Sequence, residues 1–514
     1  MFTLISIETV LSAFVAVLAV TWAISRFGVA RSNSLPPGPP PMPIIGNMLD
    51  LPRSKEWLTY TDWAKQYVGD IISLRAFDRT VIVLSSPEDI KEFFVHRAAN
   101  YSSRIRTTMV GLVGWWDGTA TTPPGDKFRA MRRFMTQIIG LRATNQVEYL
   151  AVEDVAVCAF IRRTIGDGEH PKELKAQLLR LSATIILKLT YGYDVETDDD
   201  EFMLLSERAL LIYHTVIRLG WLVDILPILQ HLPTWTPFLT FKRKAAEWRK
   251  VVETSRKATL EWTRAQIRSG IATQSFASTL LGDSERMKDE ELFSIVLGDL
   301  FAAGEDSTVT SAAKLFLALA LHPDVQATAQ REIDTLTGGT RLPNYADRVH
   351  LPYLDALLKE VHRWNTPVAP LGNPRCASEA DNFKGYHIPK GAIIFPNIWS
   401  IFEDPEKYPD PHEFKPERYL GEANNDGLNE DPTYYAFGFG TRICPGRHLA
   451  DSMQWLLAAK LLASCTVSDA RDARTGRELT TTSVEYLPGL VSQPAPFTCR
   501  IVPRSAATEA MLSE

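Results

Sequence analysis

The sequence predicts a mainly α protein with a small β portion. Helical periodicity dominates from about Lys127 to Tyr191 and again from Asp289 to Leu321. Strand-like alternation is confined to short pieces such as Val81-Ile82-Val83-Leu84 and Ile393-Ile394-Phe395. Of 514 residues, 45% are hydrophobic and 23% charged, as in an ordinary globular protein. A net charge of −6 argues against a nucleic-acid binder that works by bulk charge. The cysteines, at 158, 376, 444, 465 and 499, are scattered, odd in number and without C-x-x-C spacing. Neither a disulfide framework nor a zinc site is indicated, and a reducing compartment fits best.

The first element is an apolar run from Leu4 to Ile24, interrupted mainly by Glu8. Its length suits a membrane-spanning helix. No basic residue precedes it, whereas Arg26 and Arg31 follow, so the positive-inside rule puts later residues in the cytosol. A cleaved signal peptide would carry a basic region ahead of the run. Residues 1–31 are therefore expected to be a membrane anchor. Residues 32–47 contain Pro36-Pro37-Gly38-Pro39-Pro40-Pro41 and read as an extended, semi-rigid hinge. On this topology the Asn100-Tyr101-Ser102 sequon stays out of the lumen and unused. Residues 48–504 read as one catalytic domain, and residues 505–514 as a flexible tail. Within the domain, Trp221 to Pro227 with Trp235 forms an apolar stretch suited to touching lipid.

Asp289 to Leu321 is apolar on every face, which predicts a helix buried through the domain centre. His322-Pro323 ends it. In its middle stands Ala303-Gly304-Glu305-Asp306-Ser307-Thr308. An acid beside hydroxyls in a buried helix is costly unless it has a partner or a task. Small Ala303 and Gly304 leave room on one face for a ligand.

The most informative stretch is Phe437-Gly438-Phe439-Gly440-Thr441-Arg442-Ile443-Cys444-Pro445-Gly446. Two glycines permit a tight turn and close approach to a flat partner. Pro445 suits the first turn of a helix, so Cys444 is expected at a helix N-terminus, where the dipole favours a thiolate. The pattern F-x-x-G-x-R-x-C-x-G resembles the haem-binding loop of the cytochrome P-450 family. The resemblance implies that fold and an axial Cys444 thiolate on the iron of haem b, which favours O–O cleavage. Phe437, Gly438 and Arg442 would belong to the cofactor site, with Arg442 available to a propionate.

Other segments resemble the family in its own order. Ala303 to Thr308 is similar to its oxygen-binding stretch A-G-x-[DE]-T-[TS], which implies a proton relay. Asp306 would be the acid. Ser307 stands where threonine is usual and Thr308 follows, so either hydroxyl is a candidate donor. Glu360-Val361-His362-Arg363 resembles E-x-x-R and Phe414 to Tyr419 resembles the P-E-R-F segment. Glu360, Arg363 and Arg418 would then form a buried structural triad. W-x-x-x-R is altered: Phe128 replaces tryptophan and loses its N–H donor, while Arg132 keeps its place as a propionate ligand. Arg375 is a further candidate for that contact. Arg129, Arg132 and Arg133 would offer a basic patch to an acidic electron donor. Apolar pocket candidates are Val110, Val113, Trp115, Trp116, Ala303, Val368, Leu371, Leu487 and Leu490.

The style of the chain is most similar to fungal microsomal members of secondary metabolism. That implies an endoplasmic-reticulum enzyme with a single membrane pass and a cytosolic catalytic domain. It would take electrons from NADPH through a cytochrome reductase, with cytochrome b5 as a further partner. One oxygen atom would enter an apolar terpenoid, polyketide or aromatic substrate. A haem-thiolate isomerase or dehydratase without oxygen and a haem sensor are the rivals. The Asp306-Ser307-Thr308 cluster argues against the first, and the long buried helix with an acid in it argues for chemistry rather than signalling.

Overall fold

The structure is a computed structural model. It describes residues 34–512 except 53, 78, 167, 169–173, 218–219, 234–235, 237–239, 284–288, 366–367 and 422–428. The expected anchor at residues 1–31 and Trp235 lie outside the described residues. Among those described, no helix is long and apolar enough to cross a membrane. Two compact units result. One holds the chain up to Ile105 with Leu371–Ile401, and the other holds Arg106–Pro370 with Phe402–Glu514.

The smaller unit carries helix α1 (Glu56–Gln66) and strands β1 (Ile71–Ala76), β2 (Arg79–Leu84), β3 (Arg375–Cys376), β4 (Asp381–Phe383), β5 (Tyr386–Ile388) and β6 (Ile393–Pro396). One sheet has the order β1-β2-β6-β3, with β2 and β6 parallel and the other pairs antiparallel. β4 and β5 pair separately. Ile72, Leu74, Val81, Val83 and Ile393 pack with Tyr60 in its core. The proline segment is docked along β1: the backbone N–H and hydroxyl of Ser73 donate to the carbonyls of Pro37 and Pro36 at 2.8 and 2.6 Å. It is anchored to its own unit from Pro36 on.

The larger unit is mostly helical. Its main helices are α2 (Asp126–Ile139), α3 (Val147–Gly166), α4 (Leu174–Tyr191), α5 (Glu201–Ile217), α6 (Phe241–Arg268), α7 (Glu290–Leu321), α8 (Pro323–Thr337), α9 (Pro352–Arg363), α10 (Arg447–Ser464) and α11 (Ala506–Met511). As expected, α7 runs through the centre. Its 32 residues span about 48 Å, and His322 followed by Pro323 closes it. Gly298 lets α6 come close: a Cβ there would lie 2.8 Å from Arg256 Cγ and 3.0 Å from its Cα.

Two features depart from expectation. β7 (Cys465–Asp472) and β8 (Phe497–Pro503) form an antiparallel pair that their mixed composition did not announce. The tail expected to fray is helix α11, whose N-cap Ser505 accepts from Thr508 N–H. Leu512, 2% exposed, joins the main hydrophobic cluster, which supplies the tertiary contact that a terminal helix needs.

The expected triad is present in this unit. Glu360 and Arg363 are fully buried and Arg418 is 7% exposed. Arg363 donates to both Glu360 oxygens at 2.8 Å, and Arg418 Nε donates to Oε1 at 3.1 Å. Arg363 also donates to the carbonyls of Phe402, Pro411 and Glu413. Arg418 donates to those of Pro409, Asp410 and Glu413. The triad therefore fastens α9 to the long segment that leads to the cysteine loop. The charges persist in the interior because almost every guanidinium direction meets an acceptor.

Candidate active site

The cysteine loop begins where a short helix, Thr433–Ala436, ends at Phe437. Gly438 (φ 75°) and Gly440 (φ 53°) take left-handed conformations that a side chain would strain. The turn closes when Cys444 N–H donates to the Phe437 carbonyl at 2.7 Å. Gly446 then caps α10. Cys444 and Pro445 thus lie just outside the helix, one turn element earlier than the expected Pro445 start. The consequence for the sulfur is the same: the Gly446 N–H donates to it. Burial pushes the Cys444 thiol above its usual range, while that bond, Arg132 and Arg447 pull it down. A metal cation at the sulfur would deprotonate it outright. The Phe437 ring meets His362 of α9 edge-on at 5.5 Å.

Arg442, two residues before the cysteine, is held by groups far away in sequence. It donates to the carbonyls of Thr122 at 2.7 Å and Thr119 at 3.5 Å. Its guanidinium lies 3.7 Å from the centre of the Phe128 ring. Phe128 lacks an indole donor, but its face supports the loop arginine by cation–π attraction. One turn further along α2, half-buried Arg132 is close enough to interact electrostatically with Cys444. Phe128→Leu is expected to lose about 1–2 kcal/mol of stability and to release cofactor faster. Thermal melting and a cofactor-dissociation rate check this, and a wild-type rate would show that the stack is idle.

The loop that holds Arg442 is itself clamped. Arg256 of α6 donates to the Gly114 carbonyl and to Asp299 Oδ1, both at 3.0 Å, and lies over Trp115 at 4.7 Å. Asp299 Oδ2 accepts from Thr119 N–H at 2.5 Å. The same loop region brings Val110, Val113 and Trp115 into one buried cluster with Ala302, against which Trp116 and Leu490 pack.

On α7, Ala303 and Ser307 are exposed in the middle of an otherwise buried helix, one turn apart on the same face. Ser307 Oγ donates to the Ala303 carbonyl at 3.1 Å. Thr308 is only 7% exposed. The two hydroxyls, alternatives in the sequence, are thus separated by helix phase: Ser307 is exposed and Thr308 buried. Asp306 Oδ1 accepts from Gln493 Nε2, and Oδ2 lies 3.3 Å from His214 Nε2 on α5. Burial raises its carboxyl above the usual range; His214, Gln493 and Lys175 oppose that. Neighbouring Glu305 is 1% exposed and pushed much further up by burial.

Arg375 belongs to the smaller unit. It is 3% exposed, donates to the Phe94 carbonyl at 3.3 Å and lies over the Phe94 ring at 4.2 Å. Leu371 is in the same small unit, whereas half-buried Val368 is in the larger one. Leu487 is 43% exposed. His214, Gln493, Arg256 and Asp299 were not expected at the site. No local motif marks them, because each acts only by meeting a distant residue.

A family model described as Cytochrome P-450 matches residues 36–497. The chain is 36% identical over 504 residues to Cytochrome P-450 monooxygenase 208 of Postia placenta, covering 98% of this chain and 96% of that protein. It is 38% identical over 490 residues to Cytochrome P-450 monooxygenase claR of Ampulloclitocybe clavipes, covering 94% and 89%. Cytochrome P-450 monooxygenase ple1 of Rhodocybe pseudopiperita is 36% identical over 515 residues, covering 98% and 95%.

Proposed function

The chain belongs to the cytochrome P-450 family, and from that premise we propose that Cys444 carries its haem and that Asp306 and Ser307 relay protons while one oxygen atom enters an apolar small molecule. The family membership makes the protein an oxygen-dependent haem-thiolate monooxygenase. The residues present fit the haem. A single thiol receives an N–H bond and faces two arginines, a donor set suited to an iron thiolate. Haem, when bound, supplies the iron at which dioxygen is reduced.

The chain's residues then have separate tasks. The Gly446 N–H tunes the sulfur. Arg442 and Arg132 would supply positive charge for the propionates. Asp306 holds a proton that Ser307 Oγ can pass on, since a hydroxyl both accepts and donates. The exposure of Ser307 beside Asp306 on α7 is the observation that carries this reading. The buried cluster around Val110, Val113 and Trp115 favours an apolar substrate, and a role in secondary metabolism is part of the proposal.

Electrons would come from NADPH through a membrane reductase, with cytochrome b5 as an accessory donor. Exposed Arg129 and Arg133 on α2 suit an acidic partner. We assign the protein to the endoplasmic-reticulum membrane through residues 1–31. Leu222, Ile225, Leu226 and Ile228, 37–69% exposed, add an apolar surface for lipid.

A binding-spectrum screen against metabolite extracts finds a substrate, and product and peroxide per NADPH then test the relay. Ser307→Ala is expected to lower product per NADPH by about tenfold, below the roughly hundred- to ten-thousand-fold that a general acid–base group contributes to rate. Thr308→Ala should change it little, and Ser307→Thr should be tolerated. Unchanged coupling in both Ser307→Ala and Asp306→Asn would show that these two residues are not the relay.

A further inference from the structure

On the reading of Asp306 as the relay acid, we infer that His214 is the positioning and proton-supplying residue through which solvent protons reach it. His214 Nε2 is 3.3 Å from Asp306 Oδ2, within ion-pair range and slightly beyond a usual N–H···O contact. Oδ1 is held by Gln493 on the loop before β8. One carboxylate oxygen is therefore fixed, and the other is presented to the imidazole. Among the described residues Oδ2 makes no well-aligned hydrogen bond, so no other donor competes for it. The His214 side chain is 28% exposed and that of Asp306 10%, so the imidazole is the end that water reaches.

Imidazole suits this place because its two nitrogens can play opposite parts. One takes a proton while the other gives one. In the step proposed, the His214 Nε2–H bond breaks and an Asp306 Oδ2–H bond forms. Imidazolium becomes neutral imidazole, and carboxylate becomes acid. Asp306 then loses that proton towards Ser307; the neutral ring, left with its proton on Nδ1, turns so that Nε2 regains a proton from water, and then returns to Asp306. No electrons move, and the net result is one proton carried inward.

The surroundings allow this. Burial favours the acid form of Asp306, whereas His214 and Gln493 favour the carboxylate, so neither state is locked. Lys175 of α4 adds positive potential from a third helix. Glu305 of α7 faces Ser206 and Glu207 of α5, and burial shifts its carboxyl towards the acid form, which weakens its pull on a positive imidazole. On α5 the Tyr213 ring lies 6.1 Å from that of His214.

The test uses the full-length holoenzyme. Infrared difference spectra over a pH series follow the protonated-carboxyl band that disappears in Asp306→Asn. In His214→Gln that band should persist to higher pH than in wild type. Reductase-supported turnover with dioxygen alone is then measured against pH and in deuterated water. His214→Gln should be at least several-fold slower near pH 8, recover as pH falls, and show a larger solvent isotope effect. Its melting and carbon-monoxide spectrum should match wild type. If Asp306→Asn is impaired while His214→Gln keeps the wild-type band and pH profile, the inference is overturned and the relay reading stands. If both variants behave as wild type, the relay reading falls with it.

Discussion

Glu360→Ala is expected to yield a protein that melts early and holds little haem. The Glu360 carboxylate accepts from Arg363, Arg418, the Lys415 N–H at 2.9 Å and the Tyr419 hydroxyl at 3.2 Å. Removing it strands two buried guanidinium groups. Breaking a buried pair by taking one partner costs about 3–5 kcal/mol, a large share of the roughly 5–15 kcal/mol that stabilises a domain. Arg363→Lys should not rescue, because one ammonium cannot reproduce the two-pronged bond to Glu360 together with three carbonyl contacts. Thermal melting and haem per protein give the answer. A Glu360→Ala protein with full haem and wild-type melting would mean that the network is dispensable.

Cys444→Ala should abolish the thiolate-type Soret band of the reduced carbon-monoxide complex, whereas Cys465→Ala should keep it. The two sulfurs differ in surroundings. Cys465 is fully buried at the start of β7, and burial raises its thiol to about 11. Cys444 has a backbone donor and two arginines. The loop itself should survive its loss, since it is closed by a main-chain bond and shaped by Gly438 and Gly440. The variant therefore removes a ligand rather than a fold. A thiolate-type band that survives in Cys444→Ala would exclude it as the axial ligand.

Much of this was legible in the sequence. The long central helix followed from apolar residues on all its faces, and its end followed from His322-Pro323. The cysteine loop followed from two glycines that only a tight turn requires. The triad was recognisable because Glu360 and Arg363, three residues apart, share one helix face. In each case the signal lies within a few residues, where backbone sterics and helical periodicity act directly.

Other features needed the tertiary structure. Sequence left both Ser307 and Thr308 as candidate donors, and only the packing of α7 shows that Ser307 is exposed and Thr308 buried. Phe128 read as a lost donor until Arg442 was seen over its ring. Nothing local linked Arg442 to the Thr122 carbonyl, 320 residues away in the chain. The same holds for His214 and Gln493 at Asp306, and for Leu512, which turns an expected loose end into a docked helix. Residue type and spacing determine which groups can ionise, turn or cap. Which distant groups meet is decided by the packing of whole helix faces, and local propensity carries almost none of that energy.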